Sequence, residues 1–372
     1  MRTIYQCGRV FTGETVLVNA FVVTENDQIT GVYPQLPADI ADANRVDWSG
    51  YAVAPAFIDL QIYGGNGHLF NNEPTAETIR ATVEAARAGG CFALQITLSC
   101  SSPDTMWRAM DACRDYWQLG GEGLIGLHLE GPYFNPEKRG AHPLEHIRKP
   151  EADEIKALLE RGRGVVSYIT VAPEQFDDTC LDLLLDSGIP VAAGHSNATF
   201  AQAVRAFDRG IARVTHLFNA MSAFQSREPG LVGATYDRMP WASIIADGIH
   251  CDYNALKISK KILGNKLWLI TDAVTESTTG DYRFRFTGDR FVNTDGTLSG
   301  SALTMWQAVQ NVVAHAGIPL EEALRMASTY PAEVIGQGHR WGKIKAGYEA
   351  RMVVMDLKDP QKCSLHQFLG QE

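Results

Sequence analysis

Four polar residues stand where strongly apolar segments of the chain end. They are Glu130 in LIGLHLEGP, His195 in IPVAAGHSNAT, His216 in ARVTHLFNAM and Asp272 in LWLITDAV. Two imidazoles and a carboxylate suit a borderline-soft divalent metal such as zinc, and a separate carboxylate can transfer a proton. The sequence therefore predicts a hydrolytic metal site, with Glu130, His195 and His216 as ligands and Asp272 as the acid/base.

Each of these residues also has a structural explanation. A lone histidine is more often a surface or hydrogen-bonded core residue, Glu130 could pair with His128 on the same strand face, and Asp272 could cap the next segment. However, His195 and His216 are 21 positions apart (216 − 195), which is one strand-helix unit. This spacing places them at the ends of neighbouring strands and favours a shared ion over two unrelated histidines.

The elements that must position these residues alternate between strand and helix eight times. Their continuous hydrophobicity is typical of a parallel sheet that is buried on both faces. We therefore predict an α/β fold with a (β/α)8 TIM-type barrel. The four polar residues would lie at the carboxyl ends of its strands, where barrel active sites lie. A doubly wound open sheet is the alternative, with fewer repeats expected. The predicted strands span residues 53–63, 91–99, 123–130, 165–172, 189–195, 213–218, 241–247 and 267–273.

Other signals mark the helix ends and the two ends of the chain. Ser102 precedes Pro103 at one predicted helix start, and a T-x-x-Q capping box begins another at Thr199. A hairpin is predicted over 281–300. Short strand patterns without intervening helices occupy both chain ends, so we predict a small β-sandwich domain made of residues 1–52 and 345–372. The barrel, residues 53–344, would be inserted between its halves.

Composition limits the class of protein. The 372 residues exceed the roughly 250 that a (β/α)8 barrel needs, and 45% hydrophobic and 20% charged residues describe a globular chain. A net charge of −10 argues against nucleic acid or an anionic membrane as a partner. There is no run of about 18 apolar residues and no N-terminal signal pattern. Seven scattered cysteines without a C-x-x-C pair favour a reducing, cytoplasmic location.

Several motifs in this order carry a resemblance to a known family. The chain contains HLEGPYF, KRGAH, AAGHSNATF, THLFNAMS, ADGIHCD, TDA and DGTLSGSALTM between about residues 50 and 335, and AGYEARMVVMDL beyond them. It resembles the amidohydrolase superfamily and, within it, the N-acetylglucosamine-6-phosphate deacetylases. The resemblance implies hydrolysis of N-acetylglucosamine 6-phosphate to glucosamine 6-phosphate and acetate, with one divalent ion, commonly zinc. It also implies a homodimer in which the neighbouring subunit supplies part of the phosphate site.

The resemblance assigns roles to further residues. It implies the same metal ligands, Glu130, His195 and His216, and the same acid/base, Asp272. We expect His142 to donate to the developing oxyanion and Arg227 to bind the phosphate, since its planar fork suits oxyanions. The full set expected to contact the phosphosugar is Ala141, His142, Asn219, Ala220, Arg227, Asp247, Gly248, Ile249, His250, Leu298, Ser299 and Gly300.

The first barrel strand departs from the superfamily pattern. Many amidohydrolases carry H-x-H there and hold a second metal, whereas this chain has Gln61 and Tyr63. A single ion is therefore expected, with Gln61 hydrogen-bonding the hydrolytic water as part of the catalytic set. A cyclic-amide hydrolase is disfavoured because the fourth strand lacks a bridging lysine. The alternatives that stay open are a deacetylase for N-acetylgalactosamine 6-phosphate and a catalytically silent sugar-phosphate-binding protein.

Overall fold

The computed structural model describes residues 1–38, 40 and 43–356, and the backbone of Ser364–Leu369. In chain order the strands are β1 (Arg2–Phe11), β2 (Val16–Glu25), β3 (Gln28–Tyr33), β4 (Asn44–Pro55), β5 (Phe57–Ile62), β6 (Gly64–Gly65), β7 (His68–Leu69), β8 (Cys91–Ser99), β9 (Leu124–Glu130), β10 (Val166–Val171), β11 (Val191–Ala193), β12 (Arg213–Val214), β13 (Trp241–Ile245), β14 (Leu267–Ile270), β15 (Arg285–Phe286), β16 (Phe291–Val292), β17 (Met352–Asp356) and β18 (Ser364–Leu369). The α-helices are α1 (Ala76–Ala88), α2 (Pro103–Gln118), α3 (Ala152–Arg161), α4 (Asp178–Asp186), α5 (Phe200–Asp208), α6 (Gly230–Arg238), α7 (Tyr253–Leu263), α8 (Met305–Ala314), α9 (Leu320–Ala327) and α10 (Thr329–Val334).

Eight parallel strands form the barrel, in the order β5, β8, β9, β10, β11, β12, β13 and β14. The side chains of β5 and β8 are buried along their whole length, as their continuous hydrophobicity predicted. Backbone hydrogen bonds of 2.9 Å join Asp272 N to Gln61 O and Tyr63 N to Ala273 O, so the last strand's end lies against the first. The predicted α/β class and the TIM-type barrel are confirmed.

Three barrel strands, β11, β12 and β14, end earlier than the sequence predicted. His195, His216 and Asp272 lie just beyond them with positive φ angles of 47°, 34° and 54°. A left-handed backbone cannot continue a strand, and it is uncommon for residues other than glycine. The three predicted site residues therefore belong to the turns that leave the strands, at the carboxyl end of the barrel.

Local sequence signals at the helix ends agree with the structure. Ser102 caps α2 by accepting a hydrogen bond from Thr105 N, and the capping box of Thr199 and Gln202 at α5 is present in both directions. The predicted hairpin contains the short antiparallel pair β15 and β16, with Arg285 opposite Val292.

The chain ends contribute a separate sheet of six strands in the order β18, β17, β4, β1, β2 and β3. β1 and β4 are parallel, and the other pairs are antiparallel. The single strand predicted over 53–63 is wrong at one point: β4 ends at Pro55 in this sheet, and β5 begins at Phe57 in the barrel. Pro55 lacks the N–H that would continue a ladder, so the division falls there.

Two compact units divide the chain. One comprises Met1–Ile58, Ala86–Phe92 and the chain from Met305, and the other comprises Asp59–Ala85 and Ala93–Thr304. These bounds fall elsewhere than the predicted limits at 52/53 and 344/345, which stay a prediction. Within the described part of the chain, no helix combines the length and the apolar character needed to cross a membrane.

Candidate active site

A cavity of about 190 Å³ opens among the loops that follow the barrel strands. The predicted residues that border it are Glu130, Ala141, His142, His195, His216, Asn219, Ala220, His250, Asp272, Leu298, Ser299 and Gly300. Gln61 lies buried beside it and is hydrogen-bonded to Glu130 and Asp272. The cavity thus gathers residues from seven separate segments that the sequence placed in one site.

The three predicted metal ligands converge on one point. Glu130 Oε1 lies 3.0 Å from His216 Nε2 and 3.4 Å from His195 Nε2, and the two imidazole nitrogens are 3.1 Å apart. All three side chains are buried. Ligands held tetrahedrally about 2.0–2.1 Å from a zinc ion are separated by roughly 3.3 Å. The observed separations fit a single divalent ion in the middle of this group.

His195 is fixed as a lone-pair donor toward that point. Its Nδ1 lies 2.9 Å from the carbonyl oxygen of Lys138, so the ring proton belongs on Nδ1 and the Nε2 lone pair faces the group. Burial lowers the pKa of His195 to about 4, more than the nearby Glu130 raises it, which keeps the ring neutral. Phe134 stacks on this imidazole with ring centroids 4.2 Å apart. The ring is therefore held in the tautomer and orientation of a metal ligand.

Glu130 and His216 show how strongly the group attracts positive charge. Burial raises the pKa of Glu130, but the nearby imidazoles, His195 first, lower it well below its usual value. Burial lowers the pKa of His216, but its hydrogen bond to Glu130 and the Glu130 charge raise it overall. The electrostatic preference for a proton at this point is equally a preference for a divalent cation.

Gln61 and Tyr63 connect the group to Asp272. The Gln61 amide nitrogen is 2.7 Å from Glu130 Oε1 and 2.8 Å from both Asp272 Oδ1 and Tyr63 Oη. Burial raises the pKa of Asp272 to about 7, with Glu130 adding to the effect and His216 opposing it. A carboxyl group with that pKa can take up and release a proton near neutral pH.

His142 presents an N–H group to the site. The amide of Cys100 donates to His142 Nδ1 over 3.2 Å, so the ring proton belongs on Nε2. That Nε2 lies 3.2 Å from Glu130 Oε2. His128, the other histidine near Glu130, instead hydrogen-bonds Leu60 O and Thr170 Oγ1.

The remaining residues predicted to contact the phosphosugar separate into those that border the cavity and those that do not. His250 borders the cavity, and its Nδ1 lies 2.6 Å from Asp247 Oδ2, while Asp247 Oδ1 accepts the amides of Ile249 and His250. Asp247 therefore orients His250 without bordering the cavity. Gly248 and Ile249 complete that turn and also lie outside the lining. Arg227 is exposed on the loop before α6 and does not border the cavity of its own chain.

An aromatic wall that the sequence did not predict lines part of the cavity. Tyr282, Phe284 and Val274 line it together with Tyr63, and the first two pack with Leu69 and Phe291 in one buried cluster. Tyr282 also donates to Cys100 O over 2.7 Å. The hairpin 281–300 was predicted from its turns, but nothing in its pattern indicates that it folds over the site.

Comparisons with known proteins agree with this geometry. The model of the amidohydrolase family matches residues 52–371. The N-acetylglucosamine-6-phosphate deacetylase of Haemophilus influenzae is 34% identical over 355 residues, 93% of each chain. The N-acetylgalactosamine-6-phosphate deacetylase of a Shewanella species is 35% identical over 317 residues, 83% of this chain and 80% of that protein.

Solved structures give the same result. N-acetylglucosamine-6-phosphate deacetylase from Pasteurella multocida has a TM-score of 0.89 and 32% identity, and the match covers 96% of both chains. A mutant N-acetyl-D-glucosamine-6-phosphate deacetylase from Mycobacterium smegmatis, in complex with N-acetyl-D-glucosamine-6-phosphate, has a TM-score of 0.87 and 29% identity. That match covers 96% of this chain and 95% of the other.

Proposed function

Because this chain belongs to the amidohydrolase family, we propose that it hydrolyses the N-acetyl group of N-acetylglucosamine 6-phosphate. The products are glucosamine 6-phosphate and acetate. The observation that carries the proposal is the buried convergence of Glu130, His195 and His216 beside Asp272. A sugar-phosphate-binding protein would have no use for a carboxyl group poised to transfer a proton.

Glu130, His195 and His216 would hold one divalent ion, for which we propose Zn²⁺. The support is the mixed nitrogen and oxygen donor set and its separations of 3.0–3.4 Å. When bound, such an ion polarises a carbonyl oxygen and makes a water molecule more acidic. The chain itself supplies the remaining groups of the reaction.

Asp272 would accept a proton from the attacking water and deliver it to the departing amine nitrogen. As water oxygen bonds to the acetyl carbon, the carbon–nitrogen bond breaks and the nitrogen takes the proton held by Asp272. Gln61 would hold the water, since its amide lies between Glu130 and Asp272. His142, with its proton on Nε2, would donate to the developing negative charge on the carbonyl oxygen.

The sugar would occupy the cavity against Ala141, Asn219, Ala220 and the turn Leu298–Gly300. His250, which also borders the cavity and is held in place by Asp247, would contact the phosphosugar. Arg227 is exposed and away from the cavity of its own chain, which supports a homodimer in which the neighbouring subunit provides this residue to the phosphate.

We also propose a cytoplasmic enzyme. The six cysteines in the described part of the chain are buried, and the seven in the sequence form no C-x-x-C pair, which supports a reducing compartment; Cys363 lies outside the described residues. The net charge of −10 disfavours nucleic acid and anionic membranes as partners.

Acetate release tests the function directly. N-acetylglucosamine 6-phosphate and unphosphorylated N-acetylglucosamine are compared before chelation, after chelation and after Zn²⁺ is restored. Rapid, phosphate-dependent release that chelation removes and Zn²⁺ restores would confirm the reaction. No release from either sugar, with protein that contains Zn²⁺, would contradict it.

N-acetylgalactosamine 6-phosphate is the second candidate substrate. The chain is 35% identical to the Shewanella N-acetylgalactosamine-6-phosphate deacetylase. It is 34% identical to the Haemophilus influenzae N-acetylglucosamine-6-phosphate deacetylase, so the identities do not separate the two epimers. Comparing kcat/KM for the two epimers in the same assay decides between them. We expect the larger value for N-acetylglucosamine 6-phosphate.

A further inference from the structure

Tyr63 occupies a place in the site that the proposed reaction does not use. It follows β5, and its side chain is 6% exposed. Its hydroxyl lies 2.5 Å from Glu130 Oε2 and 2.8 Å from the Gln61 amide nitrogen. A tyrosine is protonated at neutral pH, so the hydroxyl donates to the carboxylate and accepts from the amide. Tyr63 thus contacts a predicted metal ligand at the oxygen that does not face His195 and His216.

The two oxygens of Glu130 have different surroundings. Oε1 accepts a hydrogen bond from the Gln61 amide nitrogen at 2.7 Å, and it faces the His216 and His195 Nε2 atoms at 3.0 and 3.4 Å. Oε2 faces the Tyr63 hydroxyl at 2.5 Å and His142 Nε2 at 3.2 Å. Because His142 carries its proton on Nε2, both neighbours of Oε2 present hydrogens to it. Hydrogen atoms in these positions repel a cation.

We propose that Tyr63 is a positioning residue that holds Glu130 with only Oε1 toward the ion site, so that the site takes a single divalent ion. This inference rests on the proposed metal-dependent function. A second ion that shared Glu130 would have to bind Oε2 and displace the Tyr63 hydrogen bond. The Gln61 amide nitrogen donates to Oε1 of Glu130 and to Asp272, so it offers no lone pair to a second ion.

The test compares Zn²⁺ binding by the wild-type protein and the variant Tyr63→Phe. The variant removes the hydroxyl and keeps the ring, which packs in the buried cluster with Leu69, Tyr282, Phe284 and Phe291, so we expect it to fold. Zn²⁺ per chain is measured by elemental analysis after saturation, and Kd by competition with a chromophoric chelator. Tyr168→Phe is the matched control, because its buried hydroxyl takes part in none of the hydrogen bonds described for the three ligands.

We expect the wild type to saturate at one Zn²⁺ per chain. Tyr63→Phe should raise the Kd by about 10-fold or more, the usual effect of losing a group that orients a ligand, while Tyr168→Phe keeps the wild-type value. Two Zn²⁺ per wild-type chain, or equal Kd values for the two variants, would overturn the proposal. The readout does not depend on turnover, so a Zn²⁺-loaded wild type that releases no acetate would contradict only the proposed function.

Discussion

On the two sides of the barrel mouth, the pKa values of buried carboxyl groups shift in opposite directions. At the end of β9, next to His195 and His216, burial raises the pKa of Glu130, but the surrounding imidazoles lower it well below its usual value. Beside β5 and β14, burial prevails and raises the pKa of Asp59 to about 6 and that of Asp272 to about 7. All three carboxyl groups are less than a tenth exposed. Burial is common to them, and the imidazoles that contact Glu130 make the difference.

The contrast indicates two different roles within the site. The side that holds Glu130, His195 and His216, called the histidine side, keeps an anion that attracts a cation. The opposite side keeps Asp272, a carboxyl group that can exchange a proton near neutral pH. Substitutions on the two sides should therefore have separable effects. Loss of an ion ligand should be partly reversed by added metal, whereas loss of the proton-transfer group should not.

The largest expected effect is that of Asp272→Asn. We expect kcat to fall by about 10³-fold or more, because general acid–base groups contribute 10²–10⁴-fold. Asparagine tolerates the φ of 54° at this position, so the fold and the Zn²⁺ content should be retained. Acetate release and elemental analysis of the same preparation measure both quantities.

Asp153→Asn is the matched control, because its carboxylate is almost fully exposed on α3. It should behave as the wild type. A near-normal kcat in Asp272→Asn would contradict the acid/base assignment. A loss of Zn²⁺ from that variant would contradict the separation of ion binding from proton transfer.

The next effect is that of His216→Asn on the histidine side. Its Kd for Zn²⁺ should rise by more than about 100-fold, beyond the effect of losing a group that only orients a ligand. Acetate release should be low after dialysis and should recover in part with excess Zn²⁺. Asparagine again suits the positive φ of the backbone.

His339→Asn, at an exposed histidine of the other compact unit, should leave Kd and turnover unchanged. If His216→Asn bound Zn²⁺ as tightly as this control, the convergence of the three side chains would not be a metal site.

A smaller effect, on KM, is expected at Arg227, which belongs to neither side of the site. Arg227→Ala should raise KM for N-acetylglucosamine 6-phosphate by about 10-fold or more and leave kcat nearly unchanged, since a hydrogen bond to a charged group contributes about 1.5–3 kcal/mol. The unphosphorylated sugar should be used equally well by both proteins. Arg108→Ala, at an exposed arginine of α2, is the control. An unchanged KM would place the phosphate elsewhere.

The sequence predicts the strands that carry the site better than the site's internal geometry. Continuous apolar runs are sufficient to place Glu130, His195, His216 and Asp272 at strand ends. The strands of a parallel sheet that is buried on both faces are almost continuously apolar, so a polar residue that closes such a run marks the end of a strand. The left-handed backbone at three of them depends on contacts between distant loops. The tautomer of His195 likewise depends on Lys138 O, 57 positions away in the chain. Pattern analysis along one segment contains no such distances.

The smallest effect on turnover, and the most direct test of burial without a charged partner, is that of Asp59→Asn. The Asp59 carboxylate accepts hydrogen bonds from Gln61 N, Thr271 N and Thr271 Oγ1, yet burial still raises its pKa to about 6. Between about pH 4 and 6 the folded protein therefore binds more protons here than the unfolded chain does, so this group's contribution to stability falls as pH rises. Asparagine does not titrate. The free energy of unfolding of Asp59→Asn relative to the wild type should increase by up to about 3 kcal/mol over that interval. Urea unfolding at several pH values from 4 to 7.5 measures this difference. A difference that stayed constant with pH would mean that neutral donors alone hold Asp59 ionised, and the contrast with Glu130 would then not depend on the neighbouring imidazoles.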